Sequence, residues 1–257
     1  MLKQVQHDGR DRRRARFNRW VKGLSLIALA TPAAAAPAQE FPPVIYPRLA
    51  AQAATAQGFV PKGWRIEAQA AGDLDGDARA DLALVFRSED PANVLAEEMC
   101  EKPFDTNPRM LVILLAKPRG GYRLAVENHA LIPRRDNACQ VDPFTGIAIE
   151  RGTIRVDFER MMSAGGWDMG STTYRWRWRE GALRLIGFDY SNVKRNTGAL
   201  GLLSLNYLTG RAKISTGNIG TDREKVRWTR LRGRAPTIDE VGDGLMFDPD
   251  GLVSKLP

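Results

Sequence analysis

The chain has 257 residues, 43% of them hydrophobic and 26% charged, with a net charge of +8 and two cysteines. Residues 1–38 hold eight basic and two acidic side chains, or +6 of the +8, so the remainder carries only +2. The overall pI of 9.8 is therefore set mainly by one terminal segment. This excludes a nucleic-acid footprint on the rest of the chain.

The first 38 residues read as a secretory signal peptide. A basic stretch from Lys3 to Lys22 precedes the apolar run Leu24-Ser25-Leu26-Ile27-Ala28-Leu29-Ala30, and Ala36-Pro37-Ala38 offers a small-residue cleavage site before Gln39. The apolar stretch spans Gly23 to Ala36 at most, is interrupted by Pro32, and is shorter than the ~20 residues that span a bilayer. The expectation is export to a bacterial periplasm or beyond, with no membrane span remaining after cleavage. Residues 39–257 then form one domain.

Residues 37–47 hold four prolines and predict an extended lead-in. Arg48 to Gly58 is rich in Ala and Gln and predicts a short helix stopped by Gly58. From Trp64 on, the pattern is strands and turns. Trp64 to Ala68 alternates, and Leu82 to Phe86 is almost wholly apolar, as expected of a central strand. Ser88–Pro108 is the main irregular insertion, with room for one or two helical turns between Pro91 and Met99. Arg109–Ala116 and Tyr122–Val126 flank the turn 118–121. Ile147–Glu150 turns at Arg151-Gly152 into Thr153–Phe158, and Thr172–Arg179 turns at Glu180-Gly181 into Ala182–Phe188. Leu202–Tyr207 turns at Thr209-Gly210 into Arg211–Ser215, and Val226–Leu231 closes the series. About ten strands joined by short glycine turns predict a mainly β fold. It is an antiparallel meander, forming a sandwich or an open barrel-like sheet, with a short N-terminal helix.

Between the first two strands lies Gly72-Asp73-Leu74-Asp75-Gly76-Asp77-Ala78-Arg79-Ala80-Asp81. Asp73, Asp75, Asp77 and Asp81 occupy positions 1, 3, 5 and 9 of a short loop, and Arg79 stands at position 7, where a backbone carbonyl commonly serves. A hard cation such as Ca²⁺ takes six or more oxygens at about 2.3–2.6 Å. An acid at every second residue of a tight loop can aim several of them inward. Position 6 is Ala78, where glycine is usual because the backbone often needs a positive φ; alanine adopts it at a cost of about 1 kcal/mol. Position 12 is Leu84, not the bidentate Glu of an EF-hand, and a strand follows rather than a helix.

The loop resembles the calcium loops of FG-GAP (integrin-type), VCBS and dockerin-like repeats. The wider chain resembles exported bacterial proteins of unassigned activity that carry one such segment. Asp142-Pro143-Phe144-Thr145-Gly146-Ile147, Gly166-Trp167, Leu185-Ile186-Gly187, Asn196-Thr197-Gly198 and Asn206 to Gly210 extend the likeness over most of 64–213. The resemblance implies a structural Ca²⁺ and an exported address. With one copy of the loop, a propeller of repeated blades is not expected.

Cys100 and Cys139 form an even pair and, in an oxidising compartment, predict one disulfide. His129 is the single histidine after residue 38, so a Cys₂His₂ zinc site is excluded, and no nucleophile signature accompanies it. Paired carboxylates could hydrolyse glycosides without histidine, and Asp142, Asp157, Glu159, Asp168 and Asp189 are the candidates. In Tyr174-Arg175-Trp176-Arg177-Trp178-Arg179 the period of two puts three aromatics on one face and three arginines on the other. Val226 to Arg232 is partly similar. The aromatic face is expected in the core and the arginine face in water; the functional alternative is a cationic surface for an anionic envelope ligand. Together these features predict an exported, soluble, calcium-binding β protein with a non-catalytic binding or interaction role in the envelope, its ligand or protein partner unspecified. An envelope glycan hydrolase is one alternative. A periplasmic inhibitor or immunity-type protein, using Ser88–Pro108 for recognition, is another.

Overall fold

Alternation of apolar and polar side chains sets the strands. The computed structural model describes residues 41–257 apart from 97, 98 and 222; the leader read over 1–38 lies outside the described residues. Fourteen strands are described: β1 Gln52–Ala53, β2 Trp64–Gly72, β3 Asp81–Ser88, β4 Val94–Leu95, β5 Phe104–Asp105, β6 Arg109–Ala116, β7 Tyr122–Asn128, β8 Phe144–Glu150, β9 Thr153–Met161, β10 Asp168–Arg179, β11 Ala182–Lys194, β12 Ala199–Asn206, β13 Arg211–Asn218 and β14 Glu224–Arg230. All pair antiparallel.

β8 to β14 form a seven-stranded sheet in strict chain order. Its hairpins at Arg151-Gly152 and Glu180-Gly181 place both central residues in the left-handed region, as a tight two-residue connection requires. The second sheet has the order β1-β7-β6-β3-β2, and β4 and β5 form a small separate ladder inside the insertion. The meander is thus divided between two main sheets, and neither closes into a barrel.

The two sheets share one core. Ala83, Val85, Leu111, Ile113 and Leu115 meet Ile154, Val156, Phe158, Tyr174, Trp176 and Phe188 across it. C-terminal residues Ile238, Val241 and Leu252 cover part of the same core. The opposite face of the five-stranded sheet is buried too. There Leu82, Leu84, Phe86, Met110, Val112 and Leu114 pack under Leu49 and Phe59 of the N-terminal segment. Burial on both faces explains why β3 and β6 are continuous apolar runs rather than alternating ones.

The helix expected over 48–58 does not form. β1 instead pairs with the edge of β7, and one 3-10 turn follows at Ala56–Phe59. About eleven residues are too few to sustain a helix alone, whereas the β7 edge offers backbone partners: Leu124 N donates to Ala51 O at 3.0 Å. The α-helical segment among the described residues is α1, Ile238–Val241, whose Thr237 and Glu240 make a reciprocal capping box. In the insertion, the helical turn near Pro91 is a 3-10 turn, Pro91–Asn93, capped by Asp90. No helix among the described residues is long and apolar enough to cross a membrane.

Candidate functional site

The acidic loop joins β2 to β3 and is organised by its own carboxylates. Asp73 accepts from the N–H groups of Gly76 at 2.7 Å, Asp77 at 3.2 Å and Ala78 at 2.9 Å. Ala78 has φ = 65°, the left-handed geometry expected at that position. Asp81 begins β3 and is fully buried. Its two oxygens accept from Leu74 N and from Ala116 N at the end of β6, each at 2.8 Å. Asp81 therefore fastens the loop to the sheet, and the buried Leu74 side chain anchors it in the core.

Asp73, Asp75 and Asp81 each present an oxygen within 4.8 Å of the other two. Ligands about 2.4 Å from one Ca²⁺ lie at most about 4.8 Å apart, and three of the four expected carboxylates meet that limit. The all-oxygen set suits Ca²⁺ or Mg²⁺ rather than a softer metal. Asp77 is drawn away: it accepts from Arg79 N at 2.9 Å and pairs with the Arg79 guanidinium. Arg79 thus enters the site by its side chain, neutralising one acid.

Electrostatics divides the acids further. Burial raises the Asp81 pKa, and nearby Asp75 and Asp77 raise it further, against the lowering effect of its two N–H donors. The Ala78 and Gly76 N–H groups hold Asp73 below the usual carboxylate range. A cation placed among these oxygens would relieve the cost of burying the Asp81 charge.

A second polar cluster lies at one end of the interface between the sheets. The alternation of β6 puts Arg109 on the same face as Leu111 and Ile113, and that of β3 puts Arg87 in line with Ala83 and Val85. Arg109 is 3% exposed. It grips Glu67 through Nε at 2.5 Å and Nη2 at 2.9 Å, and Asp142 through Nη1 at 3.0 Å and Nη2 at 2.6 Å. Glu67 is the extra residue of a bulge in β2, where Ile66 pairs with Phe86 and Ala68 with Val85. The bulge re-aims its side chain toward the two arginines. Arg87 adds bonds to Glu67 and to Asp105, both at 2.9 Å. Burial pushes Glu67 and Asp142 up, but the arginine hydrogen bonds outweigh it and hold both below their ordinary values. Asp142 precedes β8, so this cluster ties the seven-stranded sheet to the five-stranded one.

Cys100 and Cys139 are bonded, with Cα atoms 4.8 Å apart. The bridge joins the insertion to the connector between β7 and β8. Arg135 supports the same junction, pairing with Glu101 at 3.0 and 2.5 Å.

Of the five candidate glycosidase acids, four are engaged by polar or cationic neighbours. Asp142 is held by Arg109, Asp157 by Arg155 at 2.8 Å, Asp189 by Arg175, and Asp168 accepts from Asn192 at 2.8 Å; Glu159 is exposed. His129 lies 2.9 Å from Glu127 and stacks on Tyr46 at 3.9 Å. In β10, Tyr174 and Trp176 are fully buried and Trp178 packs against the core, while Arg175 is 42% exposed beside Asp189. The aromatic face is the core face.

Arg109 and Arg160 did not stand out as site residues in the sequence. The signal was present, because each continues the apolar phase of its strand. Arg160 follows Ile154, Val156 and Phe158 at every second position of β9. A comparison with known proteins finds no family model, no curated protein and no solved structure that matches this chain.

Proposed function

We propose that this chain is an exported, calcium-binding β protein with a non-catalytic binding or interaction role at the cell envelope. The observation that carries the reading is the convergence of Asp73, Asp75 and Asp81 within 4.8 Å, with Asp81 buried at the start of β3. The likeness of the loop to FG-GAP and VCBS calcium segments supports it. The disulfide fits an oxidising, extracytoplasmic compartment, and so does the leader read over 1–38. Bound Ca²⁺ would fix the β2–β3 turn against the end of β6 and neutralise the acids gathered there. The ion pairs that hold Asp142, Asp157 and Asp189 favour binding over glycoside hydrolysis, which needs a free acid and a free base or nucleophile.

Calorimetric titration of the purified protein with CaCl₂ tests the reading. Saturable binding is expected near the ~10⁻⁴–10⁻³ M of extracellular modules. Asp75 is exposed, so Asp75→Ala should abolish binding without unfolding the chain. Ala78→Gly, which releases the left-handed alanine, should strengthen it. No heat at millimolar Ca²⁺, or unchanged binding by Asp75→Ala, overturns the assignment.

A further inference from the structure

Away from the acidic loop, a cavity of about 450 Å³ opens between the β7–β8 connector and C-terminal residues 243–246, with Arg160 in its wall. Arg160 is the last inward-facing residue of β9 and lies across its sheet. Nη1 donates to Thr172 Oγ1, Nη2 donates to Ser191 O at 2.6 Å, and the guanidinium sits 4.2 Å from the Tyr190 ring centre. Gly170 leaves the passage clear: a Cβ there would stand 3.1 Å from Nη2 and 2.0 Å from Ser191 O. A hydroxyl, a carbonyl and an aromatic face thus orient the cation, and all three are neutral.

Among the described residues Arg160 makes no ion pair. The other wall guanidiniums are spoken for. Arg135 is neutralised by Glu101, and Arg134 commits all three of its nitrogens, Nε to Thr106 O, Nη1 to Pro42 O and Nη2 to Asn93 Oδ1. Burial lowers the Arg160 pKa, and Tyr190, Tyr174 and the more distant Asp168 offset this only in part. An oriented guanidinium side chain that lines a cavity and makes no salt bridge offers a seat for a carboxylate or phosphate.

The rest of the wall narrows the choice. Asp136 and Asp243 share it, and they repel a second negative charge while accepting hydrogen bonds from hydroxyl groups. Pro143, Leu245 and Met246 supply apolar surface for the face of a ring. The volume falls within the roughly 300–1,000 Å³ of small-molecule sites. We propose that this cavity binds a small hydroxylated monocarboxylate of the sugar-acid class, its carboxylate on Arg160 and its hydroxyls toward Asp136 and Asp243. The site is remote from the acidic loop and does not depend on it.

Calorimetric titration of the whole protein with glucuronate, glucose and glucose 6-phosphate, with and without a calcium chelator, tests this. Glucuronate should bind saturably in both conditions, with glucose and glucose 6-phosphate each at least about tenfold weaker. Arg160→Met should reduce glucuronate binding at least about tenfold. Met246 is 77% exposed, so Met246→Trp should narrow the mouth and weaken binding while leaving the melting temperature unchanged. This second variant keeps the test decisive if Arg160→Met does not fold. Absence of saturable binding at millimolar glucuronate, equal binding of glucose, tighter binding of glucose 6-phosphate, or wild-type binding by Met246→Trp overturns the proposal. Loss of calcium binding alone would leave it standing.

Discussion

Replacing Arg109 with methionine should be among the most damaging single changes outside the apolar core. The side chain is 3% exposed and gives two bidentate grips, one to Glu67 of the five-stranded sheet and one to Asp142 before β8. Methionine fills similar volume but leaves two carboxylates facing each other. Removing one partner of a buried ion pair costs about 3–5 kcal/mol. The lower end applies here, because Arg87 still reaches Glu67 at 2.9 Å and Asp142 at 3.7 Å. About 3 kcal/mol corresponds to a fall in melting temperature of roughly 6–12 °C for a domain of this size. Acid sharpens the test. Glu67 and Asp142 have folded pKa values below their ordinary ones. Their contribution is complete above the ordinary carboxylate pKa and is lost as pH falls through the lowered folded values. Much of that lowering comes from Arg109. The gap between wild type and Arg109→Met should therefore narrow as pH falls from the ordinary carboxylate range through the lowered folded values. Thermal denaturation followed by circular dichroism from neutral pH downward measures both effects. A loss under about 1 kcal/mol at neutral pH, or a gap that does not change with pH, would refute the reasoning.

The other expectations concern the core and the bridge. Trp176→Ala should cost about 3–5 kcal/mol through lost contacts and a cavity, while Arg177→Ala on the opposite face should cost under ~0.5 kcal/mol in denaturant titration. Trp176→Phe should be much milder than the alanine change, since the phenyl ring still fills much of the space and the lost indole N–H has no acceptor to leave unpaired. Equal losses for Trp176→Ala and Arg177→Ala would count against the assignment of faces. Reducing Cys100–Cys139, which closes a span of 39 residues, should destabilise by on the order of 4 kcal/mol through restored chain entropy; an unchanged melting temperature after reduction would contradict this.

Local pattern determined much of this protein by itself. The period of two in residues 174–179 assigned the core face of β10, because successive side chains of a strand must point to opposite sides. The unbroken apolar run at Leu82–Phe86 marked a central strand, and the structure shows it and Met110–Ala116 in strands buried on both faces. The glycine turns gave the hairpins, the two cysteines gave a unique pairing, and the acidic spacing located the loop and its left-handed Ala78. The choice among long-range partners was made only by tertiary structure. Asp81, and not Asp77, joins Asp73 and Asp75, because the end of β6 supplies Asp81 with an N–H donor while Arg79 captures Asp77. Residues 48–58 abandon a helix because the edge of β7 offers hydrogen bonds that a short isolated helix cannot match. The roles of Glu67, Arg109 and Arg160 depend on a bulge, on a second sheet and on a cavity at its margin. Alternation fixes which way a side chain points, but the charge or void that it meets there comes from residues tens of positions away.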